Sequence, residues 1–221
     1  MSRGVLDISI VNSFKQGFEL KCINLLIDAY IYVNSNNNIN INCEEEYISA
    51  VLFDYIDNCQ QAISWKIDIT PEYRLYKGDV LKKVKSAKTA PRIDFRLCGW
   101  SNKSKLTYFV EAKNLIEIDS YKSNRKSKIS ATKLHIRYIE TGIDNYLSGQ
   151  YPSNGCLIGY VLQGKTENIV SMLNTCLCNL NRKPEILQLQ SLEQINFKPY
   201  YISSHNNASS IKHLMFDFTH N

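Results

Sequence analysis

The segment CLIGYVLQ (156–163), set between Gly155 and Gly164, constrains the chain more than any other. It is apolar at nearly every position and bounded by residues that interrupt regular structure, so it predicts a strand buried on both faces. A strand of that kind belongs mid-sheet, under helices on either side. The spacing supplies those helices. Ser13–Val33 places Phe14, Phe18, Cys22, Leu25, Leu26 and Ala29 on one stripe, after a short expected strand at Leu6–Val11. The Asn-rich tract 34–42 favours turns and reads as a surface loop. Cys43–Asn58 opens with Glu44, Glu45 and Glu46, which suit the positive end of a helix dipole, and continues with Ile48, Val51, Leu52, Tyr55 and Ile56 on one face. Residues 131–149 and 165–180 complete the helical set, with Gly149 as a C-terminal stop. WKIDI (65–69), PRIDFRL (91–97), LTYFVEAK (106–113), KPYYISS (198–204) and IKHLMFDF (211–218) read as strands, the second and third forming a hairpin around CGWSNKSK. The expected fold class is α/β (α+β), a mixed central sheet flanked by helices, with residues 1–42 an N-terminal helical segment packed on the core.

Composition narrows the class of protein. At 221 residues, 44% of them hydrophobic and 21% charged, the chain can bury a real core and is no disordered tail, fibre or coiled coil. The balance of 26 Lys plus Arg against 21 Asp plus Glu, formally +5, permits a polyanionic partner without demanding one. The seven cysteines are odd in number and include no CxxC pair, and His135, His205, His213 and His220 lack zinc-ligand spacing. Reduced thiols and a cytoplasmic location are expected. The first residues lack a signal-peptide core, and no stretch nears the ~20 apolar residues that span a bilayer, so no membrane partner is expected.

Chemistry points to three side chains. Alternation along PRIDFRL sends Ile93, Phe95 and Leu97 to one side and Arg92, Asp94 and Arg96 to the other. In LTYFVEAK the same rule puts Glu111 and Lys113 together, opposite Val110 and Ala112. If the two strands pair, Asp94 and Glu111 approach closely enough to share a divalent cation, with Lys113 just beyond. Beside that cation, the Lys113 ammonium is expected to have a depressed pKa.

The pattern Ile93-Asp94-Phe95 followed by Val110-Glu111-Ala112-Lys113 resembles the PD-(D/E)xK nuclease superfamily, the restriction-endonuclease-like fold. The proline that often precedes the first acid is here Pro91, three residues upstream of Asp94. A second likeness, through 137–164 and 211–218, is to small nucleases of bacterial antiviral defence loci. The resemblance implies a nuclease-like domain over residues 43–221, with Asp94, Glu111 and the backbone carbonyl of Ala112 holding magnesium, or manganese in its place. Lys113 would orient or deprotonate the attacking water, and the upstream helix would contribute a further acid, for which Glu45 is favoured. Helix N-terminal stabilisation accounts for the Glu44–Glu46 run equally well.

The implied activity is metal-dependent phosphodiester hydrolysis, with DNA favoured over RNA as the substrate, by an effector subunit of an anti-phage complex. The alternative is a non-catalytic subunit that keeps the fold to bind nucleic acid or a protein partner. Without a P-loop, a larger sensor or ATPase partner is expected, and a homo-oligomer is compatible. Lys82, Lys83 and Lys85 in one basic loop, Arg125, Lys126 and Lys128 in another, and Arg137 on the following helix are the candidate phosphate contacts.

Overall fold

The structure is a computed structural model describing residues 8–76, 82, 86–101, 104–123, 128–191, 197–206 and 209–219. Three helices come first: α1 (Ile8–Asn36), α2 (Glu45–Asn58) and α3 (Gln60–Trp65). Strands β1 (Ile67–Arg74), β2 (Arg92–Ser101) and β3 (Ser104–Ile116) follow, then a two-stranded ribbon of β4 (Ser120–Tyr121) and β5 (Lys128–Ile129). Helix α4 (Ala131–Arg137) passes through a π-turn (Tyr138–Ile143) into α5 (Asp144–Leu147), which ends at Gly149 with φ of 69°. After β6 (Gly155–Gln163) come α6 (Thr166–Asn179), β7 (Gln188–Gln190), β8 (Tyr200–Ser204) and β9 (Ser210–Asp217).

Seven strands form one mixed sheet in the order β1-β2-β3-β6-β9-β8-β7. The CLIGYVLQ run is therefore the middle strand, paired in parallel with β3 and β9, while the outer pairs are antiparallel. Gly159 interrupts its bulky run because a Cβ there would meet Met215 Sδ at 2.5 Å and Leu115 Cδ1 at 2.6 Å, side chains reaching in from both neighbouring strands. Two cores result. Cys22, Leu25 and Leu26 of α1 and Ile48, Leu52 and Ile56 of α2 pack with Phe95, Leu97, Val110 and Ala112 on one face. Tyr138, Ile139 and Ile143 together with Ile169 and Leu173 of α6 pack with Phe109, Leu115, Leu157 and Met215 on the other. The chain is thus a mixed α/β fold in three layers. All seven cysteines are free. Among the described residues no helix is long and apolar enough to cross a membrane.

Several elements differ from the sequence reading. Residues 8–11, expected as part of a strand, are the first turn of α1, because nothing in the sheet pairs with them and the helical stripe simply extends upstream. β1 runs past Pro71 to Arg74, tolerated because β1 is an edge strand and a missing N–H costs little there. The residues 98–101 and 104–105, taken as turn formers, are ladder residues of β2 and β3.

A charged cluster at the open edge of strand β3

β3 outruns its partner β2. The β2–β3 pairing ends at Phe95↔Val110, whereas β3 remains paired with β6 as far as Ile116. Beyond Val110 the β2-side edge of β3 presents backbone groups that need partners, since unpaired amides are costly when buried. Two carboxylates supply them: Asp94 Oδ2 accepts from Ala112 N at 2.6 Å, and Glu45 Oε2 accepts from Asn114 N at 3.1 Å. One carboxylate comes from the strand that has left and the other from the first turn of α2.

The departure of β2 also corrects the expected alternation. Phe95 and Leu97 lie in the first core, but Ile93 lies in the second. Asp94 sits at the changeover, opposite a stretch of β1 where Glu72 takes φ of 47°. Its carboxylate consequently lies along the sheet edge against Ala112 instead of standing off one face.

Glu111 and Lys113, alternating with the core residues Val110 and Ala112, are buried at 5% and 4% exposure. The Lys113 ammonium spends all three N–H groups here, on Glu111 Oε1, on Glu45 Oε1 at 3.4 Å and on the carbonyl of Ala112 at 2.9 Å. Glu45 Oε1 also accepts from Arg137 Nη2 at 3.1 Å, at the end of α4. Of the carboxylate run, Glu45 alone is buried; Glu44 pairs with Lys122 at 2.9 Å and Glu46 is exposed. Among the described residues, Glu111 Oε2 is left buried with no hydrogen-bond partner.

Three carboxylates around one ammonium and one guanidinium are poorly compensated in a site with little water. Burial, opposed by Lys113 and reinforced by Glu45, raises the Asp94 carboxyl to about 6. Burial and then the Asp94 charge raise Glu111 to about 8 against the pull of Lys113. For Lys113 burial works downward, yet the charges of Glu111, Glu45 and Asp94 outweigh it and the pKa moves up. The expected depression is thus absent while only carboxylates face the ammonium. Tyr151, whose hydroxyl donates to the Arg92 carbonyl at 3.2 Å, is raised by burial and by Glu111.

The other predicted residues are dispersed. Lys82 is exposed, Lys128 pairs with Asp119 at 2.7 Å on the β4–β5 ribbon, and Lys83, Lys85, Arg125 and Lys126 lie outside the described residues. Among the described residues of that set, Arg137 alone reaches the cluster. Asn114 and Tyr151 were missed: Asn114 follows directly on the Glu-x-Lys triplet, while Tyr151 sits in a loop with no sequence signal.

A second buried polar group lies across β6. Tyr138 Oη lies 2.9 Å from His213 Nδ1, Ser203 Oγ lies 2.8 Å from both His213 Nε2 and His205 Nε2, and His205 Nδ1 lies 2.7 Å from Glu185 Oε2. Every hydroxyl and ring nitrogen of the group thus has a hydrogen-bond partner. Arg182 completes it by donating to Glu185 at 2.7 Å.

No protein-family model, curated protein or solved structure matches the chain. The cluster must therefore be read from its own chemistry. Among the described residues no three His, Cys, Asp or Glu side chains form a ready-made metal cage. The donors at the β3 edge nevertheless suit a hard cation, being all oxygen, with Glu111 Oε2 unused and the Asp94 and Glu111 carboxyls raised first by burial and then by neighbouring carboxylates. Magnesium is characteristically held by one or two carboxylates plus water and substrate phosphate, not by a full protein cage.

Proposed function

We propose that this protein is a divalent-metal-dependent nuclease that hydrolyses phosphodiester bonds, of DNA in preference to RNA. The observation that carries the reading is the convergence of Asp94, Glu111 and Lys113 at the edge β2 abandons, with Glu111 Oε2 buried and unpaired. Asp94, Glu111 and the Ala112 carbonyl would hold the cation, with magnesium or manganese fitting the oxygen donors. That cation supplies Lewis-acid charge stabilisation at an anionic phosphodiester. Lys113, an ammonium pinned by three acceptors, places fixed positive charge where a phosphate gains negative charge. Glu45 holds Lys113 and Arg137 in one place, and Arg137, about half exposed, offers its free N–H groups to a flanking phosphate. The sequence likeness supports an antiviral effector setting and a larger sensor or ATPase partner.

One observation favours a second reading, a non-catalytic subunit that binds nucleic acid or protein: every Lys113 donor is already engaged, as in a structural ion cluster. Incubating the purified chain with plasmid and labelled single- and double-stranded DNA and RNA, in magnesium, manganese or EDTA, separates the two. Metal-dependent cleavage that falls about 10³-fold in both Asp94→Ala and Glu111→Ala supports hydrolysis at this site. Binding without cleavage in any metal overturns it in favour of the second reading.

A further inference from the structure

The first turns of α1 form one wall of a surface groove and stand largely open to solvent. Every residue from Ser9 to Gly17 is exposed, including Ile10 at 51% and Phe14 at 59%. A short helical segment without tertiary cover is marginal in water, and contiguous exposed apolar surface of this kind marks an interaction site. The groove, of about 510 Å³, lies between α1 and the far end of the β2–β3 hairpin. Ile10, Phe14, Phe18 and Lys21 form its helical wall, one stripe about 16 Å long at 1.5 Å per residue, and Trp65 and Trp100 face it. Trp100 is 66% exposed.

Ammonium groups outnumber acids beside this groove: Lys15 and Lys105 stand in an adjoining depression with one carboxylate, Glu19, which is itself paired with Lys212. Among the described lining residues the sole charged side chain is Lys21, with no carboxylate. Lys105 stands at the hairpin wall with its ammonium 5.7 Å from the centre of the Trp100 ring, and Lys21 lies 5.4 Å from that of Trp65. Exposed Lys15 projects from the same stretch of α1. An apolar floor under ammonium groups is complementary to apolar anchors flanked by carboxylates.

We propose that this groove docks an acidic amphipathic helix of a protein partner, laid beside α1 with apolar side chains between Phe14 and Trp100 and carboxylates on Lys21 and Lys105. Single-stranded nucleic acid fits less well, because a base stacking on either Trp would have to share its ring with an ammonium group already placed over it. A second copy fits less well too: Ser9–Gly17 holds Lys15 and no acid, so a two-fold pairing of this stripe sets lysine against lysine. The surface is distinct from the β3-edge cluster, and its occupant does not depend on what that cluster does.

The test uses the full chain and three fluorescein-labelled probes. They are a helical peptide with Leu and Phe at i, i+3, i+4 and i+7 and Glu elsewhere, the same peptide with Lys for Glu, and an oligothymidylate. The acidic peptide is expected to bind at least about tenfold tighter than the Lys peptide, and to weaken at least about tenfold in a Phe14→Ser, Trp100→Ser double variant. Both replaced side chains are exposed, and an unchanged melting curve verifies the fold. Lys21→Glu with Lys105→Glu should reverse the peptide preference. Equal binding of the two peptides, binding untouched by the double variant, displacement of the acidic peptide by the oligonucleotide, or a wild-type dimer that the double variant dissolves would each overturn the proposal.

Discussion

The cluster at the β3 edge and the hydroxyl–imidazole chain between β8 and β9 flank the same central strand. Both are buried, and both draw side chains from several elements. In the chain from Tyr138 to Glu185 every hydroxyl and ring nitrogen has a partner; burial, with His205 adding to it, pushes His213 down to about 3. At the β3 edge carboxylates outnumber their cations, Glu111 Oε2 has no partner, and two acids are held well above their ordinary range. A complete network behaves as core that happens to be polar; an incomplete one signals a missing positive charge.

The largest effect expected from this difference follows removal of its one buried ammonium. Lys113→Met leaves Glu111, Glu45 and Asp94 without their shared partner and should cost about 3–5 kcal/mol in EDTA at pH 8, the usual penalty for an orphaned buried ion. Added magnesium should restore a substantial part of that loss. Urea unfolding with and without metal measures both, and a variant as stable as wild type in EDTA would show that the carboxylates do not repel one another.

Next in size are opposed pH dependences. The Asp94 and Glu111 carboxyls bind their protons more tightly folded than unfolded, so without metal their contribution to stability is complete below about pH 4 and is lost as pH rises through about 6 and 8. A bound cation replaces those protons and should flatten the decline. For His213 the sign reverses: its folded pKa lies below the ordinary 6.5, so its contribution is complete above that value and is lost as pH falls toward 3. Each titrating group sets a slope of up to about 1.4 kcal/mol per pH unit. Melting temperatures from pH 4 to 9 should thus respond to magnesium on the alkaline side alone, and a response confined to the acid side would contradict the assignment.

The smallest expected effect is Ser203→Ala, which takes away the hydroxyl joining the two imidazoles and should cost about 1–2 kcal/mol through the ring nitrogens left unpaired. Phosphodiester cleavage, assayed under the same conditions as wild type, should be unchanged. A large loss of cleavage would mean that the two clusters act together.

How far these features were legible in the sequence follows from how local they are. The middle position of β6 was readable because eight successive positions obey one rule, burial on both faces. Glu111 and Lys113 were readable as a pair from alternation within a single strand. The edge geometry of Asp94 was not, because it arises where β2 parts from β3, and that parting is set by the lengths of two strands and by a positive-φ residue on a third. Glu45 was one of three adjacent acids, and only the docking of α2 makes it the buried one. The polar chain from Tyr138 to Glu185 left no trace at all, since its members come from four separate segments with no shared spacing.

The unequal lengths of β2 and β3 also bear on how the chain assembles. Asp94, Glu111 and Lys113 belong to one antiparallel hairpin, whose contacts are close in sequence, whereas β6 reaches β3 only by a helical crossover. Two like charges and their lone counter-charge are therefore brought together by the most local piece of the sheet, ahead of the layer that seals them from water. A nascent chain meets their repulsion while solvent can still screen it, and the cost falls due when the α4 segment and β6 close over the hairpin.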